Sequence, residues 1–253
     1  MLNQITFGND STLPPLLIVH GLFGSARNWG AIARRMAEDR RVVSVDLRNH
    51  GDSFWSGNHG YADMAADLAE VIAAEGRAMD VVGHSMGGKA AMVLALTRGD
   101  LVNRLVVADI APVAYGHSQR HLVAAMQGLD LVGLAARGEA DRRLATSVPD
   151  AGTRAFLLQS LDLKSDPPRW RLNLDALDAA MAEITGWPGV GGRYEGAVLF
   201  LSGAESDYVR PEDRTEIKRL FPAARMAKIP GAGHWLHAEK PREFEAALRA
   251  FLS

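Results

Sequence analysis

The chain has 253 residues, 47% of them apolar and 23% charged, with a formal net charge of −2 and no cysteine. That length buries a sizeable core without staples and amounts to one large or two small domains. The missing cysteines exclude disulfides, thiolate metal sites and thiol redox chemistry, and the balanced charge, with no basic stripe or acidic tail, argues against nucleic-acid binding.

Met1-Leu2-Asn3-Gln4-Ile5-Thr6 carries no charged-then-apolar leader pattern, so a cytoplasmic protein is expected. No apolar run approaches the ~20 residues of a membrane span. Leu2 to Phe7 reads as a short edge strand, and Asn9 to Pro15 as a turn that Pro14-Pro15 keeps from being helical. Leu16-Leu17-Ile18-Val19 is a continuous apolar run, as in a strand covered on both faces. It ends in His20-Gly21-Leu22-Phe23-Gly24-Ser25, and a helix is expected from Trp29 to Glu38. The next strand, Arg41 to Val45, closes on Asp46 to Ser53, a loop whose Asp and Asn residues tether turns. Ala62 to Glu75 is an amphipathic helix stopped by Gly76.

Val81-Val82-Gly83-His84-Ser85-Met86-Gly87-Gly88-Lys89 comes next, followed by the helix-forming run Ala90 to Leu96. Strand, tight turn and helix with a serine at the apex is the setting of a nucleophile elbow. Gly83 and Gly87 leave room for helix and strand to touch, and the helix start aims N–H groups at the serine. Leu105 to Ala108 is a further buried strand, ending in Asp109-Ile110-Ala111-Pro112. From Val113 to about Glu195 there are helical periodicities and no convincing strand: His121 to Leu129, Glu139 to Ser147, Thr153 to Leu161 and Leu174 to Thr185. The alternation resumes with the strand Ala197 to Leu201, a helix from Glu212 to Leu220 and a strand from Arg225 to Ile229. The loop Gly231-Ala232-Gly233-His234 and a helix from Pro241 to Leu252 close the chain. An α/β fold follows, a mostly parallel sheet with helices on both faces. Residues 1–112 and 196–253 form its core, and 113–195 an inserted helical cap.

A serine hydroxyl needs a base within hydrogen-bond reach. Of the eight histidines, His234 alone sits in a glycine loop between the last strand and the last helix, the place the order nucleophile, acid, histidine requires. His84 is expected to turn away from Ser85, His50 and Lys89 to be structural, and Trp29 and Trp187 to be packing residues. His234 and His237 lack a third ligand cluster, so no metal is expected. An oxyanion would meet the N–H of Met86 and a second from the His20-Gly21-Leu22 loop: Leu22 first, Phe23 next. Phe23, Trp235, Leu122, Phe156 and Leu157 are candidate walls of an acyl pocket.

Five stretches in order carry a resemblance to a known family: His20 to Ser25, Asp46 to Gly51, Gly83 to Lys89, Asp109 to Val113, and Gly231 to Trp235 with His237 to Pro241. The chain resembles the α/β-hydrolases, and within them the bacterial YbfF-type esterases and the mammalian abhydrolase-domain-11 proteins. The likeness runs through the core and is less clear in the cap. It implies a cofactor-free hydrolase of small-molecule carboxylic esters, with some relatives acting on acyl-CoA thioesters. Most of the superfamily carries the triad acid in a Gly-x-x-Asp turn after the cap. Here that turn reads Gly203-Ala204-Glu205-Ser206, with Asp207 one step late. Resemblance to the YbfF-type arrangement implies Asp109 as the acid, ahead of Asp207, with Ser206 either an accessory hydroxyl near His234 or a plain turn residue. A serine esterase on short-to-medium acyl chains is therefore the leading reading. Its rivals are a thioesterase or another cofactor-free reaction on this fold, and a low-turnover binding protein.

Overall fold

The computed structural model describes all residues, 1–253. The apolar runs become strands β1 (Gln4–Phe7), β2 (Leu16–Val19), β3 (Val42–Val45), β4 (Met79–His84) and β5 (Val102–Ala108). After the insertion come β8 (Ala197–Gly203) and β9 (Ala224–Ile229). These seven make one sheet in the order β1-β3-β2-β4-β5-β8-β9, with β1 antiparallel and every other pairing parallel. Every residue of β2, β3 and β4 is buried, as expected where helices cover both faces of a parallel sheet.

Helices α1 (Gly30–Met36), α2 (Tyr61–Glu75), α3 (Met86–Thr97), α9 (Arg214–Leu220), α10 (Leu236–Glu239) and α11 (Pro241–Leu252) flank the sheet. α2 stops where expected, because Gly76 takes the left-handed φ of 71° that closes a helix cheaply. α1 is shorter than its periodicity suggested, since residues Ala26–Trp29 form a 3₁₀ turn first. Two apolar clusters result, one on each side of the sheet. The smaller is built on α1 and α11, where Phe244 and Leu248, one helical turn apart, are wholly buried.

Between β5 and β8 lie α4 (Arg120–Gln127), α5 (Arg137–Leu144), α6 (Ala151–Leu157), α7 (Leu174–Ala179) and α8 (Met181–Thr185). Two expectations need correcting here. The stretch does contain strands, a two-residue antiparallel ribbon of β6 (Leu161–Asp162) and β7 (Arg169–Trp170). The helix expected over Leu174 to Thr185 is broken at Ala180. The ribbon rests on a contact distant in sequence. Trp170 pins the ribbon by donating its indole N–H to the Met126 carbonyl at 2.9 Å. Two core residues and one of the same stretch hold the end of α8: the Tyr61 hydroxyl donates to the Ile184 carbonyl at 2.6 Å, Lys89 Nζ to Thr185 at 3.1 Å and to Gly186, and the Tyr115 N–H to Thr185 at 2.9 Å. Burial lowers the Lys89 ammonium to about 7.

The elbow works only if strand and helix touch. A Cβ on Gly83 would lie 2.4 Å from the Gly87 carbonyl oxygen, and one on Gly87 would lie 2.3 Å from that of His20. These neighbours are backbone and cannot swing away. Gly87→Ala should therefore destabilise the protein by about 1–3 kcal/mol or more, as overpacking does. Gly57→Ala, whose Cβ meets nothing within 4 Å, should be close to neutral. Urea midpoints of the two variants check this, and equal midpoints would refute it.

Candidate active site

Four strand ends converge. β4 delivers Ser85, β5 delivers Asp109, the turn after β8 delivers Ser206, and the loop after β9 delivers His234. His234 Nδ1–H donates to Asp109 Oδ2 at 2.7 Å. Ser85 Oγ–H donates to His234 Nε2 at 3.1 Å. Asp109 is wholly buried, and two further donors meet its carboxylate: the Gly203 N–H at 2.9 Å on Oδ1 and the Ser206 hydroxyl at 2.5 Å on Oδ2. A buried carboxylate needs such partners to offset its lost hydration. Asp207, the alternative acid, has a side chain 79% exposed and faces Arg210 at 3.6 Å.

The histidine loop is held from three sides. Gly203 packs so tightly under it that a Cβ there would lie 2.3 Å from the carbonyls of Ala232 and Gly233. Glu239 accepts the Gly233 N–H at 2.6 Å and the Trp235 N–H at 3.3 Å. His84 does turn away from Ser85: its Nε2–H donates to the His234 carbonyl at 2.8 Å.

The loop after β2 lies against Ser85, since a Cβ on Gly21 would sit 3.2 Å from that of Ser85. The Phe23 N–H is already committed to His50 Nε2 at 3.2 Å, whereas the Leu22 N–H has no acceptor in the protein. Met86 opens α3, so its N–H has no partner within its own helix. Ser85, Leu22, Met86 and His234 line one cavity of about 390 Å³. Phe23, Leu122, Phe156 and Trp235 are among its walls, with the Phe156 and Trp235 rings 5.6 Å apart. Leu157 is not: it faces the core and is fully buried there. No lysine or arginine lines the cavity, and Asp150 is its single carboxylate. Of the two candidate packing tryptophans, Trp29 is buried and stacks on His237 at 4.1 Å, and Trp187 packs on the larger core cluster. No group of three or more His, Asp or Glu side chains is placed to hold a metal ion.

A family model described as the alpha/beta hydrolase family matches residues 16–247. The chain belongs to the α/β-hydrolase family. The mouse sn-1-specific diacylglycerol lipase ABHD11 is 44% identical over 96% of this chain and 82% of its own length. Esterase YbfF of Escherichia coli K12 is 36% identical over 98% of this chain and 96% of its own. A solved structure titled "Marine microorganism esterase" superposes with a TM-score of 0.93 at 36% identity, covering 99% of this chain and 98% of that one. With relatives of this kind, the chain is an α/β-hydrolase enzyme of the serine type. No helix is long and apolar enough to cross a membrane.

Sequence reasoning turned His84 away from Ser85 and read His50 as structural, but it gave His20, His59 and His237 no part in bracing this α/β-hydrolase site. His20, His50, His59 and His84 are buried around it and His237 is half-buried, and loss of hydration pushes every one below the usual 6.5, His59 to about 4 and His237 to about 3. These imidazoles stay neutral in the folded protein, while those of the unfolded chain bind protons below about pH 6.5. Unfolding therefore takes up protons there. Stability should be flat above about pH 6.5 and fall as the pH drops towards 4, each such histidine adding a slope of about 1.4 kcal/mol per pH unit. Urea unfolding at pH 7.5, 6 and 5 measures this, and a free energy unchanged down to pH 5 would contradict it.

Proposed function

We propose that the protein is a serine esterase that cleaves uncharged carboxylic esters through an acyl-enzyme on Ser85. The observation that carries this reading is the unbroken row from buried Asp109 through His234 to Ser85, with bonds of 2.7 and 3.1 Å. Ser85 Oγ attacks the ester carbonyl carbon while His234 Nε2 takes its proton. Asp109 keeps the other imidazole proton on Nδ1 and offsets the positive charge. The N–H groups of Leu22 and Met86 receive the oxyanion. His234 then gives its proton to the departing alkoxide, the alcohol leaves, and a water activated by the same imidazole releases the acid. Ser206 acts on the acid from behind, through its hydroxyl bond to Asp109.

The substrate reading rests on the cavity. Its volume of about 390 Å³ suits a small or medium ester, and its walls offer no lysine or arginine to a polyanionic leaving group. That favours neutral esters over acyl-CoA thioesters. We further propose that residues 113–195 act as a cap setting acyl preference, since Leu122 and Phe156 belong to that stretch. The names of the mouse and bacterial relatives, a diacylglycerol lipase and an esterase, support ester cleavage.

Two experiments test the reading. With p-nitrophenyl esters, Ser85→Ala should lose turnover by a factor on the order of 10⁶ while remaining folded, and Asp109→Asn on the order of 10⁴. Asp207→Asn should change little. A reversed ranking of the two aspartates would sink the assignment of the acid. Separately, p-nitrophenyl esters and acyl-CoAs of matched chain length should differ in kcat/KM by at least tenfold in favour of the neutral esters. Equal values would refute the uncharged-substrate reading.

A further inference from the structure

The imidazole of His234 has a neighbour that the reaction scheme does not use. The Tyr208 ring lies face to face with it, centroids 3.9 Å apart and planes 19° from parallel. Tyr208 is on the loop after β8, and each of its polar ends is tied. Its N–H donates to Ser206 Oγ at 3.3 Å. Its carbonyl accepts from the Tyr115 hydroxyl at 2.7 Å, and that hydroxyl in turn accepts the Ala111 N–H at 2.8 Å. Its own hydroxyl hydrogen-bonds His117 Nε2 at 2.9 Å. Tyr115 and His117 both belong to the inserted stretch. The tilted ring of His84 lies 4.8 Å from the same imidazole.

Two in-plane hydrogen bonds fix the imidazole at Nδ1 and Nε2, but they leave it free to rock about the line joining those atoms. A flat ring against its face removes that motion. Proton transfer is sensitive to misplacement well under 1 Å, so the restraint acts on the rate. The tyrosine face also meets the positive charge that forms on the imidazole at each proton transfer, an arrangement attractive to a cation.

We propose that Tyr208 is the positioning residue of the His234 imidazole, and that the insertion holds it in place through Tyr115 and His117. The inference rests on the reading of His234 as the base. It makes the insertion part of the chemistry as well as of the pocket wall.

The test compares Tyr208→Leu, Tyr208→Phe, His117→Ala and the Tyr208→Phe/His117→Ala double variant on one p-nitrophenyl ester, with thermal midpoints alongside. Tyr208→Leu should lower kcat on the order of tenfold with KM within about twofold. Tyr208→Phe restores the flat face and should recover most of that loss. His117→Ala should cost about two- to threefold in the wild type and less than that in the Phe variant, where the hydroxyl bond is already gone and only the edge contact of the two rings, centroids 5.0 Å apart, is lost. If Leu unfolds the protein, Met at the same position serves, since it fills irregular gaps without a flat face. A Leu or Met variant with full kcat overturns the proposal. So does a loss confined to KM, or a Phe variant as slow as Leu. Ser85→Ala and His234→Ala separate this from the esterase reading: if they still turn over, that reading falls and takes the inference with it, whereas inactive controls beside a fully active Tyr208→Leu sink the inference alone.

Discussion

Backbone strain at the ends of four neighbouring strands is the constraint on which the site depends. Four non-glycine residues have positive φ: Phe23 at 63°, Asn49 at 65°, Ser85 at 52° and Asp109 at 52°. They follow β2, β3, β4 and β5 in turn, the adjacent strands at the centre of the sheet. Each such residue costs on the order of 1–3 kcal/mol and persists only when its surroundings over-determine it. The surroundings here are specific. Ser85 N–H donates to the Ala108 carbonyl at 3.0 Å, and Asp109 N–H to that of Leu201 at 2.9 Å, so each strained residue hangs on the next strand of the sheet. Phe23 is gripped at both its N–H, by His50, and its carbonyl, by the Ser160 hydroxyl at 2.9 Å. Asn49 bonds through its N–H to Phe54, and through its carbonyl to Asn173. The parallel register supplies the force; Ser85 and Phe23 line the cavity, and Asn49 and Asp109 are wholly buried behind it.

This explains why the centre of the site could be read from the sequence. A strained elbow demands glycines at fixed offsets, and Gly83 and Gly87 advertise it. A histidine loop after the last strand must approach the acid turn closely, and Gly203 and Gly233 mark that approach. The strands were legible for a related reason: sheets covered on both faces require unbroken apolar runs, and Leu16–Val19 has no other use. Asp109 was harder. A carboxylate at a strand end says nothing of its partners, and the reading of Asp109 as the acid rested on Ser206 standing at the usual acid position and on the resemblance to the YbfF-type arrangement.

What stayed hidden depends on contacts between residues distant in the chain. Tyr208 looks like any loop tyrosine until the sheet brings it over His234. Ser160 and Phe23 are 137 residues apart, Lys89 and Gly186 are 97 apart, and neither pairing has a local signature. The misreadings have the same origin. Leu157 follows helical periodicity as well as Phe156 does, and which of the two faces the cavity depends on how α6 docks. The break at Ala180 has no proline or glycine to announce it. The carbonyls at the end of α8 are taken by Tyr61, Lys89 and Tyr115, none of them near in sequence.

These long contacts give the insertion a part beyond coverage. Its chain runs beside the strained loop after β3, where Gly51 N–H donates to Arg171 at 2.8 Å and Asn173 N–H to Asn49 at 3.0 Å. Ser160 fixes the loop after β2 through the Phe23 carbonyl, and Thr185 and Gly186 meet Lys89 on α3. Each tie ends on a residue one or two bonds removed from a group that the proposed reaction uses. A stretch joined to the core at so few polar points would move as a hinge if any of them sat at its edge. Here they surround the cavity, on the β2 loop, the β3 loop, α3 and the turn after β8. Opening the cavity would break several buried hydrogen bonds at once, and leaving buried partners unsatisfied costs about 1–3 kcal/mol each. A swing of the whole insertion away from the core is therefore opposed by these ties acting together.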